Sequence, residues 1–367
     1  MHLITFIFLL LYIVLVLSYY LGWRKSKLPN RVKIIPKVSV VIALRNEEIS
    51  IERLLNNLES QIYPADKLQF VLINDHSTDN TLSLLQKYKA KNLIVFDMPE
   101  GNFGKKNAIT RGVQIADGEI ILVTDADCTF SSNWIQTMVA YFVNDKIKLV
   151  SGPVAFHRKG GIFHNLQALE FSSLIGTGAG SIGSNNAVFC NGANMAYRKE
   201  VFVVLNTYKN NDAVSGDDVF LLHSIKQRYN EGIVFARDRN AIVNTDSLNT
   251  LSDFINQRKR WTAKSSSYTD SRTIYTAFIV LFTNISLITL FASCFFNMQM
   301  INYFVAFYFI KFIVDLIFLF PVLAFFERKD LIKLIFPFEL IYSFYIVYIV
   351  ILSFTNSFDW KGRIHKK

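Results

Sequence analysis

The feature that most constrains this chain is an apolar run from Leu3 to Leu21 that contains no charged residue. About 20 such residues, at 1.5 Å each, cross the hydrocarbon layer of a bilayer. A signal peptide would have a basic start, a shorter apolar stretch and a small-residue cleavage site. Here the start is Met1-His2, the stretch is long, and Tyr19, Tyr20 and Trp23 stand where cleavage would fall. Residues 1–23 therefore read as an uncleaved anchor whose aromatic residues lie at the membrane interface.

The apolar residues, 51% of the chain, gather at its two ends. Ile274 to Phe296, Tyr303 to Phe326 and Leu331 to Phe354 are each long enough to span. They define a C-terminal membrane region, 272–356, of two to three helices. A third full crossing would put the basic tail 357–367, with Lys361, Arg363, Lys366 and Lys367, on the outside, against the positive-inside tendency. One stretch is therefore open to a re-entrant or interfacial placement. Lys311 and Asp315, four residues apart on one helical face, read as a structural pair rather than a transport site.

Arg24, Lys25, Lys27, Arg31, Lys33 and Lys37 form a basic linker, 24–37, without an acid. Such a stretch is retained on the cytoplasmic side, so the domain that follows, 38–268, is expected in the cytoplasm. The net charge of +10 suits anionic lipid and an anionic substrate. Nucleic-acid binding is disfavoured because the basic residues flank apolar spans. Cys128, Cys190 and Cys294 lack metal-ligand spacing and read as reduced, buried thiols.

The middle of the chain alternates between strand and helix patterns. Strands are expected at Val38–Ala43, Phe70–Ile73, Leu93–Phe96 and Ile120–Thr124. Helices are expected at Glu47–Gln61, Asp79–Tyr88, with Ser77 or Thr78 as caps, and Lys105–Ile115. This order calls for an α/β fold: a parallel sheet with helices on both faces and ligands at the carboxyl ends of the strands.

Polar residues follow those strand ends. Arg45-Asn46-Glu47-Glu48 comes after the first, Asn74-Asp75-His76-Ser77-Thr78-Asp79 after the second, and Asp125-Ala126-Asp127 after the fourth. A bare D-x-D occurs often by chance. At the open end of a buried strand its two carboxylates suit a hard cation that also takes phosphate oxygens. Asn102-Phe103-Gly104-Lys105-Lys106 precedes a helix, where a glycine turn, a helix amino end and a lysine suit phosphate, although a solvated basic loop has the same composition. The adjacent carboxylates of Gly216-Asp217-Asp218 suit a general base or a helix cap. Gln257-Arg258-Lys259-Arg260-Trp261 offers arginine forks for phosphate oxygens and a flat ring, or an ordinary interfacial belt.

In this order, from Pro36 to Trp261, these motifs resemble the family 2 glycosyltransferases, which have a GT-A, Rossmann-like fold. The flanking spans resemble those of its membrane members, such as cellulose and hyaluronan synthases and ceramide glucosyltransferases. The resemblance implies a first nucleotide-binding turn at Ala43, Asn46 and Glu47, and a base-reading carboxylate at Asp75. It implies a diphosphate lysine at Lys105, a carboxylate near ribose and diphosphate at Asp125, and a metal ligand at Asp127, with Asp125 beside it. Asp218 matches the catalytic base, and Asp217 stands where the family usually has Glu. Phe189-Cys190-Asn191-Gly192-Ala193 resembles the acceptor-side loop, and Gln257, Arg260 and Trp261 match the QxxRW motif. Ala43-Leu44-Arg45 departs from the proline and aromatic residue common at that turn.

The implied activity is inverting transfer of a sugar from a nucleotide-diphosphate sugar, with UDP as the expected nucleotide, dependent on Mg²⁺ or Mn²⁺. The implied acceptor is a membrane-associated lipid or glycan in cell-envelope synthesis, at the bacterial inner membrane. A processive polysaccharide synthase is the alternative. A non-catalytic GT-A-like scaffold subunit is the alternative of another class.

Overall fold

The computed structural model describes residues 2–26, 35–205, 217–229, 231–265, 268–354, 358–360 and 363–365. From the N terminus run α1 (His2–Lys25), β1 (Val38–Leu44), α2 (Ile51–Glu59), β2 (Leu68–Asn74), α3 (Thr81–Lys87), β3 (Leu93–Asp97), α4 (Lys105–Ile115) and β4 (Ile120–Thr124). Then come β5 (Thr129–Phe130), α5 (Trp134–Val139), β6 (Leu149–Ser151), β7 (Val154–Phe156), α6 (Ile162–Gly183), β8 (Asn194–Arg198) and α7 (Lys199–Leu205). The remainder is α8 (Asp217–Arg228), β9 (Ile233–Phe235), β10 (Val243–Thr245), α9 (Leu251–Ser265), α10 (Ser271–Ser293), α11 (Met300–Phe325) and α12 (Ile332–Phe354). Two compact units divide these elements: Ser26–His157 with Phe189–Asp246, and Met1–Lys25 with Arg158–Val188 and Ser247–Lys367.

The first of these units is built on a seven-stranded sheet in the order β3-β2-β1-β4-β8-β6-β9. β3, β2, β1 and β4 are parallel, as the alternating pattern requires. The expectation of a parallel sheet fails beyond β4: β8 runs antiparallel to both β4 and β6. The periodicity read from the sequence stopped at Thr124, and pairing between distant segments is not written in local alternation. β2 is buried along its whole length, consistent with the apolar run Phe70–Ile73 at its centre. A smaller sheet, β5-β10-β7, adjoins the β4 turn in sequence.

Two helix starts come later than their patterns suggested. Asn46 adopts φ 53°, and the backbone N–H groups of Asn46, Glu47 and Glu48 donate to Ser77 Oγ, Thr81 Oγ1 and Asp79 Oδ2 at 3.0, 2.8 and 3.2 Å. These donors serve the neighbouring strand's turn instead of starting a helix, so α2 begins at Ile51. At α3 the cap is neither Ser77 nor Thr78; the Thr81 N–H donates to Asp79 Oδ1 at 3.0 Å.

The other unit holds α1, α6 and α9 to α12. Four of its helices, Leu3–Lys25, Ser271–Ser293, Met300–Phe325 and Lys329–Phe354, are long and apolar enough to cross a membrane. They mark the chain as a membrane protein. α6 lies against α1 with almost no side chain between them: a Cβ on Gly180 would fall 2.4 Å from the Tyr19 carbonyl oxygen, and one on Gly183 would fall 2.0 Å from that of Gly22. Small residues let two helix backbones approach this closely.

Lys311, 1% exposed, donates to Asp315 at 2.9 Å and also pairs with Glu339 of α12. The Tyr12 hydroxyl of α1 donates to Asp315 at 2.6 Å. The pair expected from sequence is thus part of a cluster that joins three helices. Near the C terminus, Phe358–Trp360 pairs with Arg363–His365 in a two-stranded antiparallel sheet, while Lys361, Lys366 and Lys367 lie outside the described residues, as do Lys27, Arg31 and Lys33 of the basic linker.

Candidate active site

The carboxyl ends of β1, β2 and β4 lie side by side because these strands are parallel and in register, with Leu44 opposite Asn74 and Val41 opposite Val123. The turns that follow them are stitched together. The Arg45 guanidinium donates to the Asp75 and His76 carbonyl oxygens, each at 2.9 Å, and the Thr78 N–H donates to Asn46 Oδ1 at 2.8 Å. Ala43 sits within β1 opposite Ile73. Asn46 is exposed and Glu47 half-buried.

Asp75 is 1% exposed. Both its carboxylate oxygens accept from the Gly104 N–H at 3.1 Å, and Oδ1 lies 3.1 Å from His76 Nδ1. Gly104, at φ 101°, precedes the first residue of α4, and its positive φ suits a residue without Cβ. Asp75 thereby ties the second strand's turn to the amino end of α4. From that end the Lys105 ammonium donates to Asp125 Oδ1. The His76 ring packs on Phe103, with centroids 4.3 Å apart.

Asp127 is held by groups that the sequence reading did not identify. Its Oδ2 accepts from the Thr245 hydroxyl at 3.0 Å, and its carbonyl oxygen accepts from Arg53 at 2.8 Å. Arg53 also lies 3.8 Å from the Asp246 carboxylate. Burial first, and then the charge of Asp125, push the Asp127 carboxyl above its usual range. The same two influences, burial and the neighbouring carboxylates, raise the Cys128 thiol, consistent with an unreactive thiol.

The register of β4 against β8 sets Thr124 opposite Asn194. The Thr124 hydroxyl donates to the Ala193 carbonyl oxygen at 2.8 Å. One residue earlier, the Gly192 N–H donates to Asp218 Oδ2 at 2.9 Å. The D-x-D turn, the 189–193 loop and the start of α8 are therefore joined by hydrogen bonds and strand pairing. Asn194 anchors this region: its amide donates to the Pro153 and Ala241 carbonyl oxygens at 2.8 and 2.7 Å, and its Oδ1 accepts from the Trp134 indole at 3.0 Å. Asp217 opens α8, but its side chain and Gly216 lie outside the described residues.

Gln257, Arg260 and Trp261 lie on α9, in the unit of apolar helices. Within that unit their helix is fastened by Arg258, which the sequence offered as a fork for phosphate oxygens and which instead holds a carboxylate. Arg258 pairs with Glu170 of α6 at 2.6 Å, and both side chains are about as buried as core residues. The available signal was Glu170 itself, a lone acid in the apolar stretch Leu169 to Phe171.

Among the described residues, no three His, Cys, Asp or Glu side chains gather into a metal-holding group. Asp125 and Asp127 are nevertheless a donor set that fits Mg²⁺ or Mn²⁺, because such ions take one or two carboxylates and complete their shell with substrate phosphates and water. A carboxylate close enough to raise the proton affinity of Asp127 favours a cation there for the same electrostatic reason.

This mixed α/β sheet, with acidic turns after its parallel strands, has a GT-A-like fold. Residues 39–205 match the family model described as Glycosyl transferase family 2. The chain is 31% identical over 159 residues to a poly-beta-1,6-N-acetyl-D-glucosamine synthase of Staphylococcus aureus (strain COL), covering 41% of this chain. It is 30% identical over 128 residues to the probable glycosyltransferase YdaM of Bacillus subtilis (strain 168), covering 34% of this chain and 29% of that one. The match spans 38% of the length of the synthase. In fold, the chain is similar to the mannosyltransferase PcManGT of Pyrobaculum calidifontis, solved in complex with GDP-Man and Mn²⁺. The TM-score is 0.61 over 95% of each chain at 17% identity.

Proposed function

We propose that the protein is a membrane-embedded inverting glycosyltransferase that takes a sugar from a UDP-sugar and delivers it to a membrane-associated lipid or glycan acceptor in cell-envelope synthesis. The observation that carries this reading is the line of contacts from the D-x-D turn through Thr124, Ala193 and Gly192 to Asp218. It links the turn that carries Asp125 and Asp127 to Asp218, which supports a shared role for the three carboxylates. The membrane spans and the basic linker support a domain on the cytoplasmic face of a bacterial inner membrane.

In this reading Asp127 and Asp125 hold Mg²⁺ or Mn²⁺, as the PcManGT complex with Mn²⁺ suggests by analogy. The chemistry such an ion supplies is neutralisation of charge on the departing nucleoside diphosphate. Lys105 adds positive charge to that diphosphate, and Arg260 acts on the donor as the arginine of its motif. Ala43, Asn46, Glu47 and Asp75 receive the nucleoside, while Gln257 and Trp261 orient the donor. Asp218 accepts the proton of an acceptor hydroxyl, whose oxygen attacks the anomeric carbon with inversion. Asp217 adds negative charge beside that base.

The test uses the purified protein in detergent with its lipids. A panel of UDP- and GDP-sugars is offered with Mg²⁺ or Mn²⁺, and nucleoside diphosphate release is recorded with and without EDTA, alongside Asp127→Ala. Release from one donor, lost in both controls, supports the reading and identifies the sugar. No release together with no metal-dependent donor binding turns the assignment to a non-catalytic scaffold. Processive synthesis is a second reading, favoured by the similarity to a polymer synthase. A ladder of products supports it, whereas one discrete product supports single transfer.

A further inference from the structure

We propose that Arg258 is a positioning residue that orients Gln257 and Trp261, and that Glu170 of α6 and Tyr345 of the membrane helix α12 hold it in place. The inference rests on the reading above, in which Gln257, Arg260 and Trp261 act on the donor.

Phe254, Arg258 and Trp261 are spaced by four and three residues, which puts them on one face of α9. The Arg258 guanidinium lies over two rings, 4.5 Å from the Phe254 centroid and 4.3 Å from that of Trp261. Its edge is occupied as well. Nε donates to the Glu170 oxygens at 3.1 and 2.9 Å, Nη2 donates to Oε2 at 2.6 Å, and Nη1 donates to Gln257 Oε1. One planar group therefore touches two of the three motif side chains. On the far side, the Tyr345 hydroxyl donates to Glu170 Oε1 at 2.8 Å, and its ring stacks on Phe254 with centroids 5.6 Å apart.

A buried ion pair of this kind is a poor way to gain stability, because removing both charges from water offsets most of their attraction. Apolar residues of similar volume would pack α9 against α6 at least as well. The pair adds direction. A guanidinium packed against two rings and hydrogen-bonded along its edge has one orientation, and it transmits that orientation to the Gln257 amide and the Trp261 ring. Lysine carries the same charge without the plane or the fork. Because Tyr345 belongs to α12, the conformation of the motif is tied to a helix long and apolar enough to cross the membrane.

The experiment compares Tyr345→Phe, Glu170→Gln and Arg258→Lys with Gln257→Ala and Trp261→Ala in the full-length protein in detergent. The readings are kcat and KM for nucleoside diphosphate release, size-exclusion elution, and the ¹⁹F resonance of 5-fluorotryptophan at Trp261, assigned with Trp261→Phe. Gln257→Ala and Trp261→Ala are expected to lower kcat/KM by about tenfold or more. Glu170→Gln and Arg258→Lys are expected to lower it by roughly tenfold, mainly through kcat, and to shift the Trp261 resonance at unchanged elution. Tyr345→Phe removes one hydroxyl and is expected to have a smaller effect in the same direction, which keeps the test decisive if Glu170→Gln does not fold. If Arg258→Lys and Tyr345→Phe keep wild-type rates and an unmoved Trp261 resonance while the two motif variants fail, the positioning role is refuted and the donor role stands. Wild-type rates in Gln257→Ala and Trp261→Ala would instead refute the donor role.

Discussion

Asp218 Oδ2 accepts a hydrogen bond from the backbone N–H of Gly192 at 2.9 Å, and a Cβ on Gly192 would fall 3.3 Å from that same oxygen. The loop therefore fixes the orientation of the carboxylate and has little room for a larger residue. Replacing the base with its amide, Asp218→Asn, is expected to lower turnover by about 10²–10⁴-fold with donor binding retained. Gly192→Ala is expected to lower kcat more than it raises KM. Nucleoside diphosphate release and donor titration by calorimetry check both, and normal turnover in folded Asp218→Asn would remove Asp218 as the base.

Lys105 pairs with Asp125 from the first turn of α4. A hydrogen bond to a charged group contributes about 1.5–3 kcal/mol. Lys105→Met is therefore expected to lower kcat/KM for the donor by roughly 10–100-fold. The loss should shrink in high salt, where the wild type also weakens. An unchanged dissociation constant for the nucleoside diphosphate would contradict the assignment to the diphosphate.

The raised proton affinity of Asp127 makes a prediction about the metal-free protein. A carboxyl whose folded pKa lies above its unfolded value contributes stability below the unfolded value and loses that contribution as pH rises through the folded one. In EDTA at neutral pH, Asp127→Asn is therefore expected to melt above the wild type, with the gap closing as pH falls towards about 4. Adding Mn²⁺ should raise the wild-type melting temperature and leave the variant unmoved. A wild type that is insensitive to Mn²⁺ would count against Asp127 as a ligand.

Lys311 is buried between two carboxylates inside the helical bundle. Removing one partner of a buried charged group costs about 3–5 kcal/mol. Lys311→Met is expected to lower thermal stability in detergent accordingly. The double variant Lys311→Met with Glu339→Gln should recover part of the loss, because Asp315 retains the Tyr12 hydroxyl. Additive losses in this pair would show that the two side chains do not interact.

The framework around the candidate site was legible in the sequence. α4 and β4 begin and end at the residues their patterns suggested, Lys105 to Ile115 and Ile120 to Thr124. Short apolar runs and a glycine turn are local signals, and their spacing depends on the geometry of a single element. The antiparallel insertion of β8 was not legible. Nor were Thr245 and Arg53 on Asp127, Asn194 beneath the loop, or Glu339 and Tyr12 around Lys311. Each depends on a partner many residues away, and a threonine or asparagine in a polar stretch carries no mark of the group it will bond.

By itself, the sequence determined that four segments are too apolar for water, that strands and helices alternate from Val38 to Thr124, and that acidic turns follow those strands. These properties follow from composition and periodicity, which act over a few turns or a few residues of strand. Only the tertiary structure decided that Thr124 faces Asn194, which brings Gly192 and Asp218 into line with the Asp125 turn. It alone decided that the segment Arg158–Val188 joins the apolar helices and carries Glu170 to Arg258. Long-range pairing is selected by the fit of whole surfaces and by the need to give each buried polar group a partner, and neither is expressed in the order of neighbouring residues.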